Sequence, residues 1–119
     1  MTAMSVAGLD QTRAPRGAAT CFLRYDENQP ALLVLGGDID ARMITRLRDA
    51  LAAAVRLAGE VVVIDLSRVR SMETAAVRAL LTGRRRAERA NVRLVLRRPS
   101  PAVTRLLACT GLSGTFSVD

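Results

Sequence analysis

The residues best suited to chemistry lie in one stretch near the middle of the chain. Residues 61–64 are four consecutive β-branched residues, typical of a strand buried on both faces. Asp65-Leu66-Ser67 follows, and Asp and Ser favour turns and strand ends. A helical pattern then begins near Thr74, whose hydroxyl is of the type that caps a helix. This order predicts that Glu73 and Thr74 lie at a helix start beside the end of a central strand, where open α/β sheets commonly bind ligands.

The composition argues against several classes of enzyme. The 119 residues include no histidine, which removes the usual general base near neutral pH and the commonest metal ligand. Asp38, Asp40 and Asp65 could be imagined as a metal cluster, but they fall at predicted caps and strand ends, where capping explains them without an ion. Cys21 and Cys109 are isolated, and we expect both to be reduced and partly buried. We therefore expect no enzymatic activity, no cofactor and no metal site.

The central stretch resembles the signature of STAS-domain anti-sigma factor antagonists, D-L-S-x-V-x-x-[IM]-D-S-[ST]-G-[LV]. The matching positions are Asp65-Leu66-Ser67, Val69 and Met72. The four-residue core departs from the pattern throughout: Glu73 replaces Asp, Thr74 replaces the phosphorylated Ser, Ala75 replaces Ser or Thr, and Ala76 replaces Gly. The resemblance runs from about residue 20 to residue 116. It also includes the Gly36-Gly37-Asp38-Ile39-Asp40 turn and the closing Thr110-Gly111-Leu112.

The resemblance implies a regulatory binding protein. A family member binds a kinase-type anti-sigma factor, which is a serine/threonine kinase, and frees the sigma factor until phosphorylation ends the binding. Thr74 would then be the phosphorylation candidate, although it is equally an ordinary capping threonine that is never modified. The candidate partner-binding residues are Asp38, Asp40, Ser71, Met72, Glu73, Thr74, Ala75, Ala76 and Arg78. A second class remains open, a non-switching STAS subunit of a scaffold or lipid-transport complex.

Two of the departures have several interpretations. Glu73 is a first-turn acid favoured by the helix dipole, a residue that helps to place the Thr74 hydroxyl, or a partial mimic of the phosphorylated state. Ala76 lacks the backbone freedom of glycine, and its methyl group would lie at the interface if the family's glycine serves close approach to the partner.

The hydrophobic pattern predicts strands that alternate with helices. We expect strands at residues 20–25, 31–35, 61–64, 92–96 and 116–118, the first being an edge strand that forms a hairpin with the second. We expect helices at residues 41–58, 75–90 and 101–109, capped by Asp40, Thr74 and Ser100. The pattern indicates an α/β fold with helices packed on a mixed β-sheet, and the resemblance identifies it as the STAS fold. We expect residues 1–19 to be a disordered extension and residues 20–119 to form the STAS domain.

The positive charge of the chain fits more than one class of binding partner. All 18 basic residues are arginine, and the formal net charge is +7. Five arginines (Arg78, Arg84, Arg85, Arg86 and Arg89) make the second helix strongly basic, which favours a solvated face but also fits an electrostatic guide for an acidic partner. The few aromatic residues argue against direct nucleic-acid binding, and no apolar run suits membrane insertion or a signal peptide. We expect a cytoplasmic protein, and homodimerisation is left open.

Overall fold

Six strands form one sheet in the order of the sequence. The computed structural model describes residues 4–6 and 19–119. Within these ranges the strands are β1 (Met4–Val6), β2 (Thr20–Tyr25), β3 (Ala31–Ile39), β4 (Val61–Met72), β5 (Arg93–Arg97) and β6 (Ser117–Val118). The helices are α1 (Ile44–Leu57), α2 (Thr74–Arg89) and α3 (Pro101–Cys109), and a single 3-10 turn (Ala41–Met43) precedes α1. The mixed α/β architecture predicted from the sequence is confirmed.

The sheet changes from antiparallel to parallel at β3. The β1–β2 and β2–β3 pairs are antiparallel, whereas β3–β4, β4–β5 and β5–β6 are parallel. Each parallel step is bridged by one helix, in the order α1, α2, α3. Since such crossovers are right-handed and every step moves the same way across the sheet, all three helices fall on one face.

A row of apolar side chains crosses the sheet beneath these helices. Leu23, Leu33, Ile64 and Leu96 are register partners on four adjacent strands, and each has 0 % of its surface exposed. The inward residues of the helices, including Leu47, Leu51, Val77 and Leu80, belong to the same core cluster. Burial of each such side chain contributes roughly 1.5–3 kcal/mol. This shared core fixes where α1 and α2 begin and therefore positions the loops in front of them.

The residue types predicted that the central strand ends at Asp65-Leu66-Ser67. This prediction is wrong, because β4 continues to Met72. The β3–β4 register runs from Val34–Asp65 to Gly36–Arg68, so β4 carries one extra residue there. The Asp65 carboxylate accepts hydrogen bonds from the Ser67 backbone N–H (2.9 Å) and from the Ser67 hydroxyl (2.7 Å). The bond to the Ser67 N–H replaces a backbone hydrogen bond that the bulge prevents between β3 and β4. The turn-forming residues therefore make a bulge inside a longer strand.

A second bulge follows at once. The register runs from Gly37–Val69 to Asp38–Ser71, which leaves Arg70 as the extra residue of β4. Because pairing continues past both bulges, β3 extends to Ile39 rather than ending at Leu35, as predicted from the glycines that follow. The sequence pattern could not indicate these extensions because bulges interrupt the alternation on which strand prediction depends.

Several helix and strand ends also differ from expectation. Asp40 caps the 3-10 turn rather than an α-helix, and Thr74 is the first residue of α2, whose N-cap is Glu73. Ser100 caps α3 as predicted, with Pro101 as the first helical residue. The final strand is shorter than predicted because Phe116 turns into the core instead.

The amino-terminal prediction concerns mostly residues outside the described ranges. The described portion before Ala19 is β1, which pairs with β2 through Met4–Tyr25 and Val6–Leu23, so β2 is not the edge strand that its pattern indicated. In the described ranges, Cys21 and Cys109 are free thiols, the first buried and the second exposed. None of the three helices combines the length and hydrophobicity needed to cross a membrane.

Gly37 provides a test of the bulged geometry. Its φ of +76° lies in the left-handed region, which costs other residues about 1–2 kcal/mol. We expect Gly37→Ala to lower the free energy of unfolding by about that amount in urea denaturation. Gly59→Ala is the control, because a Cβ there meets no atom within 4 Å, and it should change stability by less than about 0.5 kcal/mol. Equal stability of the two variants would contradict the strained turn.

Candidate functional site

The predicted site residues converge where β3 and β4 end and α2 begins. Asp38 pairs in register with Ser71, and Ile39 pairs with Met72. The Glu73 backbone N–H then donates to the Ile39 carbonyl oxygen at 2.9 Å, and Thr74 opens α2 immediately afterwards. The chain segments around residues 38–40 and 71–75 therefore form one continuous surface at the carboxyl edge of the sheet.

Asp38 is the centre of a polar cluster on this surface. One oxygen accepts hydrogen bonds from Arg70 Nε (3.1 Å) and from the Ser71 hydroxyl (2.7 Å), and the other accepts from Arg70 Nη2. The bonds from Arg70, followed by that from Ser71, lower the pKa of Asp38 from its ordinary 3.8 to about 2. Sequence reasoning missed Arg70, because its contact with Asp38 depends on the pairing of β3 with β4 and joins positions 32 residues apart.

Asp40 is engaged on the neighbouring turn. Its carboxylate accepts from the Arg42 backbone N–H at 3.0 Å and pairs with the Arg42 guanidinium at 2.8 Å. The side-chain hydrogen bond from Arg42 lowers the pKa of Asp40, so this group is also ionised near neutral pH. Asp40 caps the 3-10 turn before α1 and presents a paired rather than an isolated charge.

Glu73 has a contact that none of its three sequence interpretations described. Its Oε2 accepts a hydrogen bond from the Ala41 backbone N–H at 3.1 Å, in the first turn of the preceding helical segment. The Glu73 backbone is bonded to Ile39 as well, so this residue ties the entry of α1 to the entry of α2.

Thr74 and Ala75 are exposed, whereas Ala76 is fully buried. The interpretation of Ala76 as a residue that places a methyl group at the interface is therefore wrong for this conformation, because its side chain packs in the core. Arg78 is exposed one helical turn beyond Thr74, and Met72 is half-buried. An exposed hydroxyl at a helix N-terminus can accept a phosphoryl group, since the free N–H groups and the helix dipole favour the resulting anion.

Asp65 belongs to the scaffold rather than to this surface. Besides Ser67, it pairs with Arg98, whose Nη2 lies 3.1 Å from the second carboxylate oxygen. Burial raises the pKa of Asp65, but the bonds from Ser67 and the charge of Arg98 outweigh burial, and the net pKa is lowered. Within residues 4–6 and 19–119, no three carboxylate or thiol side chains come together as a metal site would require.

Comparison with known families and structures gives consistent matches. The family model described as "Mlab, STAS domain" matches residues 23–118. An anti-sigma factor antagonist from Mycobacterium paratuberculosis is 24% identical, with a TM-score of 0.71 over 88% of this chain and 88% of that chain. The antagonist SpoIIAA in its unphosphorylated form is 21% identical, with a TM-score of 0.70 over 86% of this chain and 88% of that chain. The phosphorylated Bacillus SpoIIAA is 19% identical, with a TM-score of 0.60 over 86% of this chain and 91% of that chain. No curated protein matches the chain.

The Asp38 cluster can be tested by titration. We expect ¹³C NMR of the carboxyl groups to give Asp38 a pKa of about 2, and Arg70→Ala to move it back toward 3.8. Because the folded pKa is the lower one, the stabilisation is present above pH 3.8 and is lost as the pH falls toward 2. Arg105→Ala, which removes an exposed arginine on α3, should leave the pKa of Asp38 unchanged. An Asp38 pKa that is insensitive to Arg70 would contradict the assigned cause.

The Glu73 contact can be tested by comparing two substitutions. Glu73→Ala removes the acceptor for the Ala41 N–H, and we expect a loss of about 0.5–1.5 kcal/mol together with faster hydrogen exchange at Ala41. Glu73→Gln keeps an oxygen acceptor and should remain close to wild type in both measurements. Glu27→Ala, at an exposed position of the β2–β3 turn, is the control. Unchanged exchange at Ala41 in Glu73→Ala would show that the bond does not form in solution.

Proposed function

The chain belongs to the STAS-domain family, and from this membership we propose that it is an anti-sigma factor antagonist. In this proposal it binds a kinase-type anti-sigma factor in the bacterial cytoplasm, frees the sigma factor for transcription and is released when Thr74 is phosphorylated. The observation that carries the proposal is the exposed Thr74 at the first position of α2. The fold around it is the one found in anti-sigma factor antagonists in unphosphorylated and phosphorylated forms.

The electrostatics of the surface support a switch at Thr74. A phosphate adds about −1.5 to −2 charge and three acceptor oxygens. Asp38 and Asp40 are already paired with Arg70 and Arg42, so the unmodified surface presents largely compensated charge. A phosphothreonine would add about two negative charges at the middle of this surface, and Arg78, one turn away on the same helix, would compensate only part of them. A partner fitted to the neutral hydroxyl would be repelled.

The same geometry supports a switch that leaves the fold intact. The side chain of Thr74 points from a helix start whose N–H groups favour an anion, and the core row of the sheet is not involved. The residues that we propose to contact the kinase are Asp38, Asp40, Ser71, Met72, Glu73, Thr74, Ala75 and Arg78. Ala76 supports this surface from beneath.

A second candidate function is a non-switching STAS subunit of a scaffold or lipid-transport complex. One observation favours keeping it: the segment Glu73-Thr74-Ala75-Ala76 differs from the antagonist pattern at every position. A permanent subunit does not require a phosphorylatable hydroxyl. This alternative predicts a stoichiometric partner that is indifferent to charge at Thr74.

Affinity capture from nuclease-treated lysate of the source organism distinguishes the two. We expect wild type to capture a kinase-fold anti-sigma factor, and Thr74→Glu to reduce the capture at least tenfold because it adds charge where the partner docks. Thr74→Ala should bind the partner but resist phosphorylation by it in the presence of ATP.

Thr104→Glu is the matched control, since Thr104 is an exposed threonine near the start of α3, and it should capture the partner as wild type does. Circular dichroism should show that all variants are folded. A transporter or scaffold protein held equally by wild type and Thr74→Glu would overturn the switch and establish the second function.

A further inference from the structure

The positive charge of the chain is concentrated on two adjacent helices. α1 and α2 together carry eight arginines against the two carboxylates Asp49 and Glu88, which accounts for six of the seven net charges. Every one of these arginines is exposed except Arg84, which is half-buried. Among the described residues, Arg84 is also the single one of the eight with an ion pair, to Glu88 at 3.2 Å. The outer surface of α1 and α2 is therefore a strong, uncompensated positive field.

A groove runs between the two helices inside this field. Its lining residues are Arg48, Leu51, Ala52, Ala79, Thr82, Gly83 and Arg86, and its volume is about 50 Å³. Arg48 belongs to α1 and Arg86 to α2, so the groove has one guanidinium group from each helix. Its floor is made of small or apolar side chains, with Ala79 and Gly83 buried.

Gly83 allows the two helices to pack closely at the floor of the groove. A Cβ at this position would lie 3.0 Å from Leu51 Cδ1, so glycine allows α2 to approach α1 more closely than alanine would. Glycine in the middle of a helix costs about 1 kcal/mol relative to alanine, and an added Cβ here would require Leu51 to shift. The result is a shallow depression with an apolar floor that lies between Arg48 and Arg86.

We propose that this groove docks an acidic segment of the partner protein, with one aliphatic side chain on the floor and carboxylates paired with Arg48 and Arg86. Arginine suits this role because its planar guanidinium binds carboxylates in a bidentate manner. The inference rests on the proposed function, because it assigns the groove to the partner that covers Thr74. Gly83 lies nine residues beyond Thr74 on the same helix, about 13–14 Å along the axis and about half a turn around it. A partner that covers both must therefore contact the N-terminus of α2 and also its side next to α1, a span that fits one protein interface.

The surface chemistry favours a protein segment over nucleic acid or membrane. Neither α1 nor α2 contains an aromatic residue on which bases could stack. Membrane-surface helices bury large apolar side chains, and the exposed large apolar residue of the described chain is Val118, which lies on β6. An apolar floor with flanking arginines matches an amphipathic acidic segment.

The test uses ¹⁵N-labelled protein and a synthetic helical peptide of Glu, Ala and Leu, with a second peptide in which every Glu is replaced by Gln. We expect amide shifts to cluster at Ala52, Ala79, Thr82 and Gly83, with at least tenfold weaker binding by the Gln peptide. The double variant Arg48→Glu/Arg86→Glu should also bind the acidic peptide at least tenfold more weakly.

The control variant is Arg93→Glu/Arg105→Glu, which makes the same change of charge at exposed arginines outside the two helices and should bind as wild type does. Amide shifts scattered over the whole surface, or peptide binding weakened equally in both double variants, would contradict the groove as the binding site. Tighter, Arg48- and Arg86-dependent binding of duplex DNA or of anionic phosphatidylglycerol vesicles would overturn the choice of a protein partner.

Failure of this inference is distinguishable from failure of the proposed function. If the wild-type groove does not bind the acidic peptide but capture of the partner still depends on Thr74→Glu, only the groove inference is wrong. If the groove binds the acidic peptide but the captured partner binds wild type and Thr74→Glu equally, the proposed switch is wrong and the groove inference stands.

Discussion

The structure depends on the way β4 carries two extra residues while it pairs with parallel strands on both sides. Asp65 stabilises the first bulge, because its carboxylate accepts hydrogen bonds from the Ser67 backbone N–H and from the Ser67 hydroxyl. The second bulge leaves Arg70 without a register partner, and its guanidinium binds Asp38 on the neighbouring strand. Without these two interruptions β4 would meet β3 in a different register, and Ser71, Met72 and the start of α2 would not face Asp38 and Ile39.

The helices hold this edge of the sheet in place from behind. The row from Leu23 to Leu96 anchors α1 and α2 on one face, and Glu73 joins their entries by a bond to the Ala41 N–H. The site is thus built from backbone segments that are each fixed at more than one point. Such a surface can change its charge without changing its shape, which is the physical requirement for a switch made by one added phosphate.

The sequence was most informative where local chemistry decides the structure. Apolar residues at strand or helix spacing located most of the strands and helices, and Ser100 and Pro101 marked the start of α3. The resemblance around Asp65 led to the family that the match over residues 23–118 confirms. It was least informative where tertiary pairing decides. Bulges hid the true ends of β3 and β4, and the burial of Ala76 depends on packing between helix and sheet. The contact from Glu73 to Ala41 joins positions 32 residues apart, which no local pattern encodes.

The sheet edges have a consequence for how copies of this chain can associate. At the described edges, β1 has three residues and β6 has two, and β6 covers only Val95 and Leu96 of β5. Such short edge strands offer few backbone groups for continuing the sheet into a neighbouring molecule, and the part of β5 that β6 leaves uncovered begins with the charged, exposed Arg93. At these described edges, self-association by strand addition is therefore disfavoured. Copies that meet there would associate through side-chain surfaces, which can separate again without breaking a hydrogen-bonded ladder.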